Sequence, residues 1–263
     1  MLMPSIPQSF AVCRVKLERI FVLNICALVA AAGRGSRSGL PYPKTLFPIQ
    51  GKPILVRIAE LLAPYDRQPT IIVSSDGKEL ITECLRSAGI YAHVVVQQEP
   101  RGMGDAVLQF ERSPRFEAAE HVLLIWGDIP FIQPETLATL VDTHLKHDND
   151  FTFATRNVDS AYTMVTRNAE RQVTGVIETR EHGVTQPQAG ERDIGLFIFR
   201  KSLVLAALRE AIEDKWGTST GEHGFLYVIG HLVKRGLRAE ALPIATELDL
   251  ISLNSLRDVD AFL

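Results

Sequence analysis

Apolar runs and amphipathic stretches alternate along the first half of the chain. The apolar runs have the length and composition of strands buried in a parallel sheet, and they lie at residues 22–31, 70–74, 93–97 and 121–126. Patterns with a helical period separate them, at residues 53–63, 78–88, 104–111 and 134–147. This alternation predicts an α/β fold, with a mostly parallel central sheet and helices on both faces.

The second half, from Asp150 onward, has a different pattern. Strand-like segments follow one another at residues 151–156, 162–167, 172–179 and 193–199, with a last one at 238–244. Helical patterns lie at residues 202–214 and 224–235, and a short helix is predicted from Ser255. No repeat or low-complexity linker separates the halves, so we expect one domain over residues 21–263, with halves at 21–149 and 150–263 that share a continuous sheet.

Residues 1–20 show no clear period, and they are interpreted as a loosely ordered N-terminal extension or a misassigned start. The basic residues Lys16 and Arg19 precede the apolar run, which ends in Ala-Ala-Ala-Gly, as a secretory signal would. The same run also fits a strand that is buried on both faces, and we favour that interpretation. No segment is long and apolar enough to span a bilayer.

Composition narrows the classes of partner. The 263 residues carry 28 Lys and Arg against 31 Asp and Glu, a formal charge of −3, so no global basic field would attract nucleic acid or an anionic membrane. The cysteines Cys13, Cys26 and Cys84 lie far apart and form no C-x-x-C pair. This spacing excludes a cysteine zinc site and suits a reducing, cytoplasmic location.

A glycine-rich basic loop follows the first predicted strand. Gly33 and Gly35 let backbone N–H groups approach an anion closely, and Arg37 and Lys44 add a forked and a compact positive charge. The Walker pattern is absent, and the dinucleotide fingerprint fails because Ser38 stands at its third glycine position. From two glycines alone, a phosphate-binding loop and a plain surface turn both remain open.

Polar residues also follow two other predicted strands, where loops of an open α/β sheet form the ligand site. Asp128 is placed to share a magnesium ion with phosphates, although it could instead cap a turn. Gln97 could pair with the edge of a base, and Gly102 could let the base or sugar lie against the backbone. The alternative is that the glycines of this loop only turn the chain.

Two other patterns are set aside. Residues 217–221 match the G-x-S-x-G nucleophile elbow, but they follow a polar helix end rather than a strand. His144 and His147 share a helix face without a third ligand, and we expect them on a solvated surface.

Five segments, taken in order, resemble the sugar-nucleotide pyrophosphorylase family of nucleotidyltransferases. They are AAAGRGSR, Pro43-Lys44, VVQQEPRGMGDAV, LLIWGDIPFI and GVIE. The resemblance covers roughly residues 24–263 and is strongest to the uridyltransferase domain of bifunctional N-acetylglucosamine-1-phosphate uridyltransferases. It implies a Rossmann-like nucleotide-diphospho-sugar transferase fold. The sequence contains no hexapeptide repeats of the acetyltransferase β-helix, so we expect that half to be missing.

The resemblance implies a role for each matching residue. Lys44 and Arg37 would be catalytic, acting at the reacting phosphorus and on the triphosphate. The implied nucleotide-binding residues are Ala30, Gly33, Gly35, Arg37, Gln97 and Gly102. The implied ligands of Mg²⁺ are Asp128 and Asn254, and the implied acceptor-binding residues are Thr163, Glu178 and Asp193. Residues 21–149 would be the nucleotide-binding half and residues 150–263 the acceptor-binding half.

Departures from the family pattern concentrate in the acceptor site. Tyr-Gly-Arg of the family becomes Tyr162-Thr163-Met164, which removes a glycine that lets a sugar approach. Asn-Thr-Gly becomes Asp193-Ile194-Gly195, so an amide is replaced by an acceptor-only carboxylate, and a histidine of the base-side loop becomes Asp105. The phosphate and metal parts match well, whereas the sugar pocket is rebuilt.

The sequence therefore predicts a magnesium-dependent transfer from a nucleoside triphosphate, with UTP favoured, to a sugar-1-phosphate or similar phosphorylated acceptor, releasing pyrophosphate. Nucleic acid and membrane are not expected partners. Alternatives are a nucleotidyltransferase with a molybdopterin or other non-sugar acceptor, and a non-catalytic regulator that binds nucleotide sugars. A dinucleotide redox enzyme is disfavoured by the failed fingerprint.

Overall fold

The central sheet of the computed structural model has seven strands. The model describes residues 24–33, 39–183 and 188–262, so the predicted extension lies outside the described residues. The strands of the sheet are β1 (Ile25–Ala31), β4 (Thr70–Ser74), β5 (His93–Gln97), β6 (His121–Trp126), β7 (Phe151–Ala161), β10 (Gln188–Arg200) and β11 (Ala239–Leu242). Their order across the sheet is β11-β7-β10-β6-β1-β4-β5.

Strand direction confirms a mostly parallel sheet. β1 is parallel to β4 and β6, β4 to β5, and β11 to β7, whereas β10 pairs antiparallel with both β6 and β7. β10 thus joins the two halves of the chain into one continuous sheet. Two further pairs lie outside it, β2 (Pro48–Ile49) with β3 (Lys52–Pro53) and β8 (Thr163–Arg167) with β9 (Val173–Glu178).

Six α-helices connect these strands in the described part of the chain. They are α1 (Ile54–Leu62), α2 (Lys78–Ser87), α3 (Met103–Leu108), α4 (Pro134–His147), α5 (Lys201–Arg209) and α6 (Tyr227–Lys234). Within the described ranges, no helix combines the length and apolar character that a bilayer crossing needs.

Two hydrophobic cores cover opposite faces of the sheet, because successive side chains of a strand point to opposite faces. In β1, Ala27 and Val29 belong to one core, while Cys26 and Leu28 belong to the other. All seven residues of this strand are buried. The run Ile25–Ala31 is therefore an interior strand of the sheet, as its continuous apolar composition predicts.

Element boundaries match the sequence prediction best in the first half. β4, β5, β6 and α4 begin and end at the predicted residues. In the second half, the helix predicted over 202–214 ends at Arg209, because Glu210 turns to an extended backbone and its carboxylate binds Arg235. β7 and β10 are also longer than predicted, because their antiparallel pairing continues to Ala161 and Gln188, past the residues that pair with β11 and β6.

Candidate active site

A cleft of about 800 Å³ lies beyond the carboxyl ends of the central strands. It receives Gly33 after β1, Gln97 at the end of β5 and Asp128 after β6, so these three loops converge as their positions predict. The predicted site residues that line the cleft are Ala30, Gly33, Lys44, Gln97, Gly102, Asp128, Thr163, Glu178 and Asn254. Gly35 and Arg37 lie outside the described residues.

Lys44 and Asp128 meet in this cleft. The Lys44 ammonium contacts the Asp128 carboxylate, and the two side chains are only 20% and 16% exposed. Gly127 places Asp128 there, because its N–H donates to the Ala30 carbonyl at 2.9 Å and a Cβ would collide with that oxygen. The Lys44 ammonium and the Asp128 carboxylate thus neutralise each other at the end of the sheet. Phosphate oxygens could replace the carboxylate as the partner of the ammonium.

Asn254 reaches the same place from the far end of the chain. The Leu253 N–H donates to the Asp128 carbonyl at 2.8 Å, which docks the Asn254 segment against the Asp128 loop. The Asn254 amide nitrogen binds the Ser252 hydroxyl at 2.8 Å, so its carbonyl oxygen remains available. Ser255 and Asp258 hold the segment with a reciprocal capping box at the start of a 3₁₀ turn, where the sequence predicts a short helix.

The available donors fit magnesium. Carboxylate and amide oxygens are hard ligands, and Mg²⁺ is commonly held by one or two protein groups together with phosphate oxygens and water. No cluster of three or more His, Cys, Asp or Glu side chains suited to a metal occurs in the part of the chain that the structure describes. Asp128 and Asn254 therefore suit a magnesium ion that is shared with a phosphate ligand.

Gln97 lies between this cleft and an adjoining cavity of about 590 Å³. Its Nε2 donates to the Gly102 carbonyl at 3.1 Å and to the Asp105 carboxylate at 2.7 Å. Both partners only accept hydrogen bonds, so the orientation of the Gln97 amide is fixed by chemistry. The oxygen Oε1 therefore remains as the hydrogen-bond acceptor that Gln97 presents to a bound molecule. It suits a base edge that presents an N–H group.

A seam joins the base-side loop, residues 101–104, to residues 222–224 of the second half. The His223 N–H donates to the Arg101 carbonyl at 2.6 Å, and the Gly104 N–H donates to the His223 carbonyl at 3.0 Å. Gly102 has a φ of +107°, and a Cβ at either glycine would overlap the backbone of His223 or Gly224. These glycines do more than turn the chain, because they allow the two halves to touch.

His223 itself is almost fully buried at this seam. Burial, reinforced by the nearby charge of Lys215, lowers the pKa of the His223 imidazole to about 4, against a smaller opposing effect of Asp105. Its Nε2 lies 3.2 Å from the Tyr227 hydroxyl. His223 is therefore neutral at physiological pH.

The acceptor side contains a buried polar pair. The Thr163 hydroxyl donates to the Asp193 carboxylate at 2.5 Å, and the Gly195 N–H donates to its other oxygen at 3.0 Å. Asp193 is 1% exposed, and this burial raises the pKa of its carboxyl despite the two hydrogen bonds. Asp193 does not line the cleft, so it can act on an acceptor only by positioning Thr163, which does.

Sequence reasoning missed a second polar pair on this side, Tyr162 and Arg192. The Arg192 guanidinium lies 4.0 Å from the centre of the Tyr162 ring, and its Nη2 donates to the Tyr162 hydroxyl at 2.6 Å. Both side chains line the cleft. The only available sequence signal was a basic residue directly before Asp193, which is too weak to select one arginine among many.

The two patterns set aside lie away from the cleft, but one expectation about them is wrong. Ser219 of the G-x-S-x-G match lies in a loop whose backbone binds the Glu181 carboxylate, and it does not line the cleft. His144 is fully buried rather than solvated. It bonds to His121 of β6 and to Thr152 of β7, both at 2.9 Å, because interior strands of the sheet cover this face of α4.

Comparisons with known proteins agree with this geometry. The family model of the MobA-like NTP transferase domain matches residues 27–219. The bifunctional protein GlmU of Symbiobacterium thermophilum is 29% identical over 234 residues, which are 88% of this chain and 48% of that protein. GlmU of Desulfitobacterium hafniense is 33% identical over 129 residues, 49% of this chain and 27% of that protein. The chain thus spans about half the length, or less, of these curated relatives.

Solved structures show the same fold at low sequence identity. A putative glucose-1-phosphate thymidylyltransferase from Bacillus anthracis has a TM-score of 0.67 at 17% identity, covering 83% of this chain and 87% of that one. The inositol-1-phosphate CTP transferase from T. maritima has a TM-score of 0.64 at 18% identity, covering 84% and 85%.

Proposed function

This chain belongs to the MobA-like NTP transferase family and is a nucleotidyltransferase, and we propose that it couples UTP to a sugar-1-phosphate or similar phosphorylated acceptor in the presence of Mg²⁺, releasing pyrophosphate. The observation that carries this proposal is the convergence of Lys44, Asp128 and Asn254 at one end of a cleft that also receives Gln97. A phosphate-binding cation, a pair of oxygen ligands and a base-facing amide are the parts that such a transfer requires.

In the proposed reaction, a phosphate oxygen of the acceptor attacks the α-phosphorus of the nucleotide. The new P–O bond forms as the bond to the β-phosphate oxygen breaks, and pyrophosphate leaves with the electron pair. Positioning and charge neutralisation supply most of the acceleration in such transfers. A magnesium ion, when bound, would supply additional positive charge to the phosphate oxygens.

Each part of the proposed reaction is assigned to particular residues of the chain. Lys44 neutralises charge at the reacting phosphorus, and Asp128 and Asn254 supply oxygen ligands for magnesium. Gln97 accepts a hydrogen bond from the N3–H of uracil. Arg37, which lies outside the described residues, is proposed to hold the triphosphate together with Gly33 and Gly35.

The acceptor is proposed from the residues that line the rest of the cleft. Thr163 and Glu178 also line the cleft, and the hydroxyl groups of a sugar are proposed to lie against them. A second candidate is a non-sugar acceptor such as a pterin phosphate. It is favoured by the match to a MobA-like family model and by the Thr163–Asp193 pair, which replaces the residues that the resemblance associates with the sugar.

Pyrophosphate release from each of the four nucleoside triphosphates, measured with a panel of sugar-1-phosphates and pterin phosphates in Mg²⁺, tests the proposal. We expect release with UTP and one sugar-1-phosphate, and loss of that release in Asp128→Ala. Nucleotide binding without release for any acceptor would instead identify a non-catalytic regulator. A cytoplasmic location is proposed from the nucleotide substrate and the unpaired thiols of Cys26 and Cys84.

A further inference from the structure

Two cations line the cleft among the described residues, Lys44 and Arg192. Lys44 is already matched by Asp128. No carboxylate in the described ranges forms an ion pair with Arg192. The cleft also contains the carboxylates of Glu178 and Glu222, so its acceptor side needs a cation if a phosphate dianion is to enter.

Arg192 is held in place without using up its donors. Both of its hydrogen bonds to described residues are donated by Nη2, to the Tyr162 hydroxyl at 2.6 Å and to the Leu250 carbonyl at 3.4 Å. Among the described residues, the buried Nε has no hydrogen-bond partner. Stacking on Tyr162 orients the plane of the guanidinium, and the N–H groups of Nη1 are left to bind an anion.

This guanidinium lies at the reacting end of the cleft. Its partner Leu250 begins the segment that reaches Asn254, and Leu253 of that segment binds the Asp128 backbone. Withdrawal from water raises the pKa of the Tyr162 phenol to about 12; Arg192 opposes this rise, while the carboxylates of Asp193 and Asp128 add to it. Tyr162 and Arg192 line the same cleft as Asp128 and Asn254, so the Tyr162–Arg192 pair shares this cleft with the proposed metal ligands.

We propose that Arg192 binds the phosphate of the acceptor and holds its attacking oxygen towards the α-phosphorus, an inference that rests on the proposed function. A guanidinium presents paired N–H groups that match two oxygens of a phosphate, which fixes orientation as well as position. It follows that the acceptor carries its negative charge at the attacking group. A phosphate monoester or a phosphonate meets this requirement, and a neutral alcohol does not.

Kinetics with Arg192→Met and Arg192→Lys test this inference. A hydrogen bond to a charged group corresponds to roughly a tenfold to hundredfold change in affinity, so Arg192→Met should raise the KM of the acceptor by that factor. The KM of the nucleotide should stay within about twofold, since Lys44 and Gln97 are untouched. Arg192→Lys keeps the charge but loses the fork, and it should fall between wild type and Arg192→Met.

Arg156 provides a matched control, because it is the register partner of Arg192 on the neighbouring strand β7. Its guanidinium binds the Ala245 carbonyl and Glu247, and it does not line the cleft. Arg156→Met should leave the KM of the acceptor within about twofold of wild type. An unchanged acceptor KM in Arg192→Met, or an equal loss for nucleotide and acceptor, would overturn the inference.

Binding of inorganic phosphate to the nucleotide-loaded chain separates this inference from the proposed function. Phosphorus NMR titration should show weaker binding to Arg192→Met than to wild type and Arg156→Met. That result in a chain that releases no pyrophosphate would reject the proposed transfer and retain the anion site at Arg192. Equal binding to wild type and Arg192→Met, or binding to neither, would reject the role of Arg192.

Discussion

The proposed nucleotide side and the proposed acceptor side of the cleft are built in different ways. On the nucleotide side, Lys44, Gln97 and Asp128 come from loops that follow parallel strands, and each faces the cleft directly. On the acceptor side, Thr163 and Arg192 come from antiparallel strands and are held by partners, Asp193 and Tyr162. The first side is therefore set by positions that follow parallel strands, whereas the second depends on contacts between segments that are distant in the chain.

The largest effect is expected on the nucleotide side. Lys44→Ala or Asp128→Ala removes a group from the reacting centre, and loss of one such group lowers kcat by about a hundredfold or more in comparable sites. Steady-state pyrophosphate release measures the loss. Lys52→Ala is the control, because Lys52 forms an exposed ion pair with Glu60 outside the cleft. Turnover within about threefold of wild type in either cleft variant would remove that residue from the proposed mechanism.

On the acceptor side, Asp193→Ala should act on stability as well as on acceptor binding. It leaves the Thr163 hydroxyl and the Gly195 N–H buried without a partner, at a cost of about 1–3 kcal/mol in the free energy of unfolding. Asp193→Asn should cost less, because the amide oxygen accepts from Gly195 while the amide nitrogen donates to Thr163. Urea denaturation measures both, and equal losses in the two variants would contradict the paired arrangement.

Asp105→Asn should change which base is used rather than how fast the reaction runs. An asparagine can accept from or donate to Gln97, so the Gln97 amide is free to turn and offer either an acceptor or a donor to the base. The ratio of kcat/KM for UTP to that for CTP should fall by roughly tenfold. Glu99→Gln is the control in the same loop, since Glu99 pairs with exposed Arg101. Equal ratios in the two variants would show that Asp105 does not orient Gln97.

The smallest effect is expected on the free energy of unfolding when the pH is lowered. It arises at buried histidines that have no proposed role in the reaction. Burial is the main cause that lowers the pKa of His144 to about 3 and that of His223 to about 4. Below pH 6.5 the unfolded chain takes up protons that the folded chain excludes, so the free energy of unfolding should fall as the pH drops from about 6.5 to 4. Above pH 6.5 neither histidine contributes to the slope.

Each histidine should contribute at most about 1.4 kcal/mol per pH unit over that range. Urea denaturation as a function of pH measures the slope, and His223→Gln should reduce it. His147→Gln is the control, because His147 is a surface residue that pairs with Glu240. A slope in His223→Gln equal to that of the wild type would show that His223 takes up its proton before unfolding.

The sequence predicts the nucleotide side well because its signals are local. The run Ile25–Ala31 is continuous and apolar, and a polar loop follows each buried strand, so the convergence of Gly33, Gln97 and Asp128 follows from parallel topology. The resemblance added Asn254, which is remote in sequence. The structure brings it to Asp128 through the Leu253 backbone.

The acceptor side and the seam were not predictable in this way. Tyr162 and Arg192 are 30 residues apart, and no period or motif indicates that one stacks on the other. His144 has the spacing of a surface residue, yet it is buried against interior strands of the sheet. In each case a contact between distant segments decides the role of the residue, and local pattern carries no information about such contacts.

The seam between residues 101–104 and 222–224 also restricts which segments of this chain can be replaced by those of a relative. A chimera that takes its first half from a relative without glycine at positions 102 and 104 would place a Cβ against the backbone of residues 223–224. A replacement first half must therefore keep glycine at both positions. Asp105, which orients Gln97, follows directly after Gly104, so the contact between the halves and the orientation of the base-facing amide depend on neighbouring residues.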